Sequence, residues 1–480
     1  MRYGCHIITL LFCLLAGVTL RAGDFAETAL RLNEKSLPIL NLSFDESALR
    51  ATGFIACKVD LRDYHGRLEG GKTAVCYEAQ IRHRGGSSLR YEKKSFAIKL
   101  KNEQNKKLSA ELFGIRKSNS WILDAMAVDR LRMRNRLCFD VWNEISPMPY
   151  DTDYGNRNGT NGEFVEVFVN GTYFGLYCLT DKVDRALLGL KKKPKQNPDG
   201  ASHGYLYKGV SWSGAHSLRG CYMEPTNSDT WLSFEIKYPD NKNTIAHWEP
   251  LKNLVDFCSD SVSALKFRLQ WKEHFYEDNL IDYFALLMTM NIGDAPYKNT
   301  YLSVADYPND HRFLITPWDM DMSLGGNYDG SYNDTVASLD RLCDVAPYNR
   351  LYGEDINGFQ GKVHRRIITL QDSVLSPTRL YEQMARYATL FEESGAWKRE
   401  VERWNNNPVA LKADIRGEIG YVSSWYKRNY DNLRTECESR LDSEKRDQRR
   451  RLIISIVSLI LIVFGISKYK TYLNKNHILL

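Results

Sequence analysis

The chain has 480 residues, of which 43% are hydrophobic and 26% charged, a composition typical of a globular protein with a full-sized core. Its net charge of +6 is concentrated at the carboxyl end, because residues 445–480 contain eight lysines and arginines against one aspartate. The rest of the chain is slightly acidic and has no basic block, which excludes nucleic acid as the expected partner. No linker rich in proline, glycine or serine divides the middle, so we predict one large domain over residues 23–440.

The first 22 residues have the pattern of a signal peptide. Arg2 precedes an apolar run from Ile7 to Leu20, and the small residues Ala22 and Gly23 follow. A buried first helix is the alternative. Export would allow disulfides among the eight cysteines outside this segment. Those cysteines form no CxxC pair and have no histidine at metal-ligand spacing, which argues against a zinc site.

A strand-rich region follows, over about residues 50–100. The segment 77–85 alternates weakly, whereas SFAIKL (95–100) places Phe96, Ile98 and Leu100 on one face. The loop between them is rich in glycine and serine, and its five cations are Arg82, Arg84, Arg90, Lys93 and Lys94. This loop either faces a phosphate or is a solvated hairpin tip.

The next elements combine strands with one helix. WILDAM (121–126) predicts a short strand, and residues 129–145 predict a helix with Asp129 as its N-cap. The segment 164–179 predicts a β-hairpin, because Asn170-Gly171 is the pair most favoured in a type I′ turn. GYLYKG (204–209) predicts a further strand.

The later part of the chain is mainly helical. Residues 247–290 and 376–440 have helical patterns, with the strand FLITPW (313–318) between them. We therefore predict an α+β fold with a β-rich N-terminal half, a mainly helical C-terminal half and a site in the cleft between two lobes.

A second apolar run, Leu452–Ile466, lies near the C-terminus. It has 15 residues, against the roughly 20 that a membrane-spanning helix needs, and basic residues flank both ends. We predict a single-pass transmembrane helix at 452–466 and a short tail at 467–480, with a surface-lying amphipathic helix as the alternative. A cleaved signal peptide would leave the body on the extracytoplasmic side, although five basic residues before the run and three after it favour the opposite orientation.

The stretch TPWDMDMSLGG (316–326) carries Asp319 and Asp321 one residue apart, and Asp294 and Asn299 precede it. Phosphoryl transfer in protein kinases uses an aspartate that orients the attacking hydroxyl, an asparagine five residues later and a second aspartate on Mg²⁺. Carboxylate and amide oxygens are ligands that Mg²⁺ prefers. A solvated acidic turn is the alternative, but an apolar strand ending in two acids needs something that neutralises their charge.

The sequence resembles the spore-coat protein H (CotH) kinases, a family of atypical protein kinases. The resemblance covers residues 50–345, with a helical C-terminal extension at 376–440, and rests on six blocks in order: 82–100, 121–142, 164–184, 205–209, 294–302 and 313–325. It implies a protein-kinase-like two-lobed fold and transfer of the ATP γ-phosphoryl group to Ser or Thr of a protein, assisted by Mg²⁺ or Mn²⁺. Departures from the family pattern at Gly86, Phe313 and Leu324 remove no charged catalytic group.

The resemblance also implies roles for individual residues. Asp294 corresponds to the catalytic aspartate and Asp319 to the metal-binding one, with Asn299 and Asp321 as accompanying metal ligands. Nucleotide binding is assigned to Arg84, Lys94 and Lys99, of which Lys94 and Lys99 are rivals for the phosphate-binding lysine. The glutamate that would pair with this lysine is Glu144 or Glu166.

Two other functions stay open. A non-catalytic cell-surface binding protein or adhesin could keep the same fold without turnover. A nucleotide-sugar transferase also uses a D-x-D motif to bind a divalent cation on a diphosphate, but this function leaves Asp294 and Asn299 unexplained.

Overall fold

The structure is a computed structural model that describes residues 25–193, 201–212, 218–220, 223–239, 245–296 and 298–475. The predicted signal peptide at 1–22 lies outside the described residues. The strands of the first half are β1 Ile39–Ser43, β2 Ile55–Arg62, β3 Ala74–Arg84, β4 Ser95–Lys101, β5 Ala110–Leu112, β6 Ile115–Ser118, β7 Ser120–Asp124, β8 Gly162–Val169 and β9 Thr172–Thr180.

Seven of these strands close into a barrel in the order β1-β2-β3-β4-β7-β9-β8, and β5 pairs with β6 as a separate hairpin. The alternation predicted for β4 is confirmed, since Phe96, Ile98 and Leu100 are buried and Lys99 is exposed. The hairpin between β8 and β9 is also confirmed. Asn170 and Gly171 both have positive φ, at 49° and 85°, as a type I′ turn requires.

The second half contains a sheet and most of the helices. Its strands are β10 Tyr205–Gly209, β11 Thr230–Trp231, β12 Phe234–Tyr238, β13 Thr300–Val304 and β14 Leu314–Pro317, in the order β11-β12-β10-β13-β14. The α-helices within the described residues are α1 Phe25–Leu30, α2 Arg134–Ile145, α3 Glu249–Cys258, α4 Ala264–His274, α5 Glu277–Thr289, α6 Tyr348–Leu351, α7 Phe359–Gln371, α8 Pro377–Glu393, α9 Ala396–Trp404 and α10 Ile415–Lys475. An α+β fold with a β-rich first half and helices towards the C-terminus is therefore confirmed.

The start of α2 differs from the sequence prediction. The helix begins at Arg134 rather than near Asp129, because Arg132 has a φ of 56°, which no α-helical residue adopts. The Asp129 carboxylate nevertheless accepts hydrogen bonds from the backbone N–H groups of Met133 and Arg134, both at 2.7 Å. Asp129 thus satisfies donors of the first turn from outside the helix.

A buried ionic cluster joins the barrel to α9. The Glu400 carboxylate lies 2.6 Å from Lys93 Nζ and 2.7 Å from Arg132 Nε, and all three side chains are fully buried. Glu400 also accepts a hydrogen bond from the backbone N–H of Leu176 in β9, at 2.8 Å. This cluster fixes the position of a C-terminal helix against the first half of the chain.

Helix α10 contains the predicted membrane segment. Its first part packs against α5, α7 and α8 and buries side chains such as Trp425 and Leu433. From residue 452 its apolar side chains are exposed, and by length and composition this helix could cross a membrane.

Candidate active site

The β13–β14 hairpin brings Asn299 and Asp319 to the same end of the second sheet. Asn299 directly precedes β13, and a single residue, Trp318, separates the end of β14 from Asp319. The backbone N–H of Trp318 donates to the Asn299 carbonyl at 2.8 Å, which continues the hairpin pairing by one step. Asn299 and Asp319 both have left-handed backbones, with φ of 58° and 55°, a conformation that Asn and Asp adopt more readily than most residues.

The loop that carries Asp294 is joined to the Asp319–Gly325 loop by two backbone hydrogen bonds. Gly293 N–H donates to the Met322 carbonyl, and Leu324 N–H donates to the Met290 carbonyl, each at 2.9 Å. The approach is close enough that a Cβ on Gly293 would lie 2.4 Å from Cε of Met322. The loops bearing Asp294 and the D-x-D pair therefore form one unit.

The Asp294 carboxylate has one anchored oxygen and one without a partner. Its Oδ2 lies 2.7 Å from Lys298 Nζ and accepts a hydrogen bond from Asn299 Nδ2 at 3.3 Å. Its Oδ1 is buried and, within the described part of the chain, has no hydrogen-bond partner. Because buried polar atoms are normally satisfied, Oδ1 is suited to accept a hydrogen bond from a ligand. Sequence reasoning missed Lys298, whose only signal was its place next to Asn299.

Several carboxylates meet around Asp321. Burial raises the pKa of Asp321 well above its usual range, and the neighbouring charges of Asp319, Asp124 and Asp129 act in the same direction. Asp124 ends barrel strand β7, and Asn135 connects it to the D-x-D loop. The Asn135 side chain donates to Asp124 Oδ2 at 2.8 Å and accepts from the Met320 N–H at 3.0 Å. This concentration of acids favours a bound cation.

The carboxylates of Asp319 and Asp321 are suited to bind a divalent metal together with a phosphate-bearing ligand. Within the described residues, no group of three or more His, Cys, Asp or Glu side chains has an arrangement that could bind a metal alone. Mg²⁺, however, is commonly held by one or two carboxylates together with water and substrate phosphates. Asp319 is exposed and Asp321 half-buried, so both can meet such a ligand.

Two cations lie beside the acids, on the faces of aromatic rings. The guanidinium of Arg84 lies 5.4 Å from the ring centre of Trp318, the residue before Asp319. Lys208 Nζ, on β10, lies 5.8 Å from the rings of both Trp318 and Tyr301. Burial lowers the pKa of Lys208 to about 8, an effect that the negative charge of Asp319 opposes. Lys208 and Arg84 are thus candidate ligands for phosphate. Lys208 belongs to the predicted strand 204–209, but its role could not be predicted from the sequence.

The other predicted nucleotide-binding residues lie elsewhere in the barrel. Lys94 donates a hydrogen bond to the Leu89 carbonyl of its own loop. Lys99 is exposed, with its Nζ 4.2 Å from the ring centre of Phe54. Burial lowers the pKa of Lys182, an effect that Asp184 opposes and the positive charges of Lys99 and Arg84 reinforce.

Neither glutamate proposed as the partner of the phosphate-binding lysine contacts one. Glu144 pairs with Arg379 at 2.6 Å, and Glu166 pairs with Arg399 at 2.7 Å. Among the described residues, a fully buried lysine–glutamate pair is instead formed by Lys93 and Glu400. Because the Lys93 side chain is inaccessible to solvent, this pair serves structure rather than direct phosphate binding.

Gly325 is packed tightly against helix α10. Its φ is 74°, and a Cβ there would lie 2.8 Å from the Trp425 ring. The Tyr421 hydroxyl donates to the Gly325 carbonyl at 3.1 Å. Glycine is thus required here by both the backbone conformation and the close approach of α10.

A family model described as CotH kinase protein matches residues 81–443, a span that contains every predicted site residue. No curated protein matches the chain.

Proposed function

The chain belongs to the CotH kinase family, and we propose that it is an atypical protein kinase that transfers the γ-phosphoryl group of ATP to a serine or threonine of a protein. The observation that carries this proposal is the carboxylate of Asp294. Its Oδ1 is buried without a partner among the described residues, beside Asn299 and the loop of Asp319. The barrel and the sheet with its helices would form the two lobes of a kinase-like fold.

Asp294 would orient the acceptor hydroxyl. Lys298 and Asn299 fix its Oδ2, so the hydroxyl of the protein substrate would donate to Oδ1. The hydroxyl oxygen then forms a bond to the γ-phosphorus as the bond to the β–γ bridging oxygen breaks, ADP leaves, and Asp294 accepts the proton. In this reaction class positioning supplies much of the rate enhancement, so the anchoring of Asp294 contributes to the rate together with its ability to accept the proton.

Asp319 would bind Mg²⁺ or Mn²⁺, with Asp321 and Asn299 as additional ligands. Such an ion neutralises phosphate charge when it is bound. The carboxylates alone repel one another, as the raised pKa of Asp321 indicates, so a divalent cation would stabilise them together.

Arg84 and Lys208 would bind the phosphates of ATP. Both lie against Trp318, next to the metal-binding loop. A bound phosphate would stabilise the protonated form of Lys208, which burial disfavours. Lys99 would add positive charge at the edge of this region, while the contact of Lys94 with its own loop supports a structural role.

The apolar part of α10 supports attachment to a membrane. We propose a single-pass anchor at 452–466, with an exported body on the extracytoplasmic side. The protein substrate would then be one that reaches this surface.

The test is phosphoryl transfer from γ-labelled ATP by the full-length chain with Mg²⁺ or Mn²⁺. Asp319→Ala is expected to abolish metal-dependent ATP binding and labelling of protein. Asp329→Ala, which alters an exposed carboxylate in the following turn, should leave both unchanged. Absence of transfer, with wild type and Asp319→Ala alike in metal-dependent ATP binding, would refute the kinase proposal. Metal-dependent binding without transfer would favour a binding protein, and transfer from a nucleotide sugar would favour a glycosyltransferase.

A further inference from the structure

Helix α10 contacts the candidate metal-binding loop directly. The Tyr421 hydroxyl donates to the Gly325 carbonyl at 3.1 Å, and the Trp425 ring packs against Gly325. Both contacts fall at the end of the loop that begins with Asp319.

The same helix contacts the turn before Asp294. Asn429 is fully buried, and its Nδ2 donates to the carbonyls of Met288 and Thr289 at 3.1 and 2.9 Å. Its Oδ1 accepts from the Ala337 N–H at 2.7 Å. Met288 and Thr289 end α5, five or six residues before Asp294. One polar side chain of α10 therefore satisfies backbone groups that α5 leaves open at its C-terminus.

The loop that begins at Asp319 needs such support because its backbone is strained. It holds the non-glycine residues Asp319 and Leu324 at positive φ, of 55° and 51°. An external element must therefore hold the loop in place before a metal or nucleotide arrives.

We infer that α10 is a part of the active site that acts by positioning, with Tyr421 and Asn429 as positioning residues for the Asp319 and Asp294 loops. This inference deepens the proposed kinase function and rests on it. The helix continues without a break from these residues through the apolar segment to Lys475. At 1.5 Å per residue, Asn429 lies about 35 Å along the helix from Leu452. The active-site support and the proposed membrane segment are thus parts of one continuous helix.

The test compares two tyrosines of α10 in the full-length chain. Tyr421→Phe removes the hydrogen bonds to the Gly325 carbonyl, at 3.1 Å, and to Asp334, at 3.5 Å, whereas Tyr426→Phe removes a bond to the Leu375 carbonyl, at 2.7 Å and outside the site. Hydrogen–deuterium exchange of residues 319–326, the affinity for Mn²⁺ with ATP, and Tm are measured for each variant. Tyr421→Phe should raise the exchange and weaken Mn²⁺–ATP binding, each about three- to tenfold, the range expected from the lost bond to the Gly325 carbonyl. Tyr426→Phe should lower Tm without either effect.

A second pair of variants gives an independent test in case Tyr421→Phe has only a small effect. Asn429→Ala should raise the exchange of residues 288–296, whereas Asn432→Ala, which loses only a bond to the Ala337 carbonyl at 3.1 Å, should not. The inference would be overturned if exchange in each test variant, Tyr421→Phe and Asn429→Ala, were equal to exchange in its control variant. Failure of the wild type to bind Mn²⁺ with ATP would refute the proposed function instead, since the exchange measurement reports on the loops without nucleotide.

Discussion

Glu400 is the buried residue whose replacement should cost the most stability. Its carboxylate is the common partner of Lys93, Arg132 and the Leu176 N–H, at 2.6, 2.7 and 2.8 Å. Glu400→Gln keeps the size and shape of the side chain and removes only its charge. The variant therefore leaves two cationic groups buried without an anion.

The expected loss follows from the different acidities of the two cations. Removing one partner of a buried ion pair typically costs about 3–5 kcal/mol. Burial already lowers the pKa of Lys93 to about 7 in the presence of Glu400, so Lys93 can lose its proton near neutral pH at little cost. Arg132 cannot. We therefore expect a loss of about 3 kcal/mol, near the lower end of the range, with most of it from Arg132.

Denaturant unfolding of the full-length chain measures this loss. Glu402→Gln is the control on the same helix, because Glu402 is exposed and its nearest cation, Lys398, is 3.9 Å away. The control should change the free energy of unfolding by less than about 0.5 kcal/mol. A loss below about 1 kcal/mol for Glu400→Gln, or one equal to that of the control, would contradict the structural role given to the cluster.

Three further predictions concern the site and the pH dependence of stability. Lys208→Met should weaken Mg²⁺–ATP binding at least tenfold in a fluorescence titration, whereas the exposed Lys398→Met should not; equal affinities would exclude Lys208 from the phosphate site. Lys298→Met should lower kcat more than it raises KM for ATP, because it frees Asp294 Oδ2; a change in KM alone would contradict the anchoring role. Burial lowers the pKa of His364 to about 4 from its ordinary 6.5, with Arg440 acting in the same direction and Asp340 opposing it. The unfolded chain thus binds the proton first, and stability should fall by about 3 kcal/mol between pH 6.5 and 4, a loss that is absent in His364→Gln.

The sequence predicted the parts of the fold that local patterns determine. The β4 alternation and the Asn170-Gly171 turn each depend on neighbouring residues only, and both are confirmed. The proximity of Asn299 and Asp319 could also be predicted from the sequence, because the two residues flank the first and second strands of a single hairpin at its open end. The start of α2 was not accessible, because Arg132 has a positive φ and its buried guanidinium pairs with Glu400, which lies 268 positions away in the sequence.

Contacts between distant segments could not be predicted from one sequence. Lys93 and Glu400 are separated by 307 positions, and neither has a local pattern that distinguishes it from a surface residue. Asp124 and Lys208 reach the site because the barrel and the second sheet meet there, so only the assembled fold reveals them. Roles for Asp294, Asp319 and the nucleotide-binding residues therefore stay predictions until they are measured.

The central claim is that Asp294 orients the acceptor hydroxyl while other residues bind the metal and the nucleotide. Its most direct test is transfer of label from γ-labelled ATP by Asp294→Asn, measured together with metal-dependent ATP affinity. The amide keeps the size of the side chain but cannot accept the proton, so the account predicts ATP affinity within about twofold of wild type and transfer reduced at least 100-fold. Transfer at the wild-type rate, or loss of ATP binding together with transfer, would contradict it.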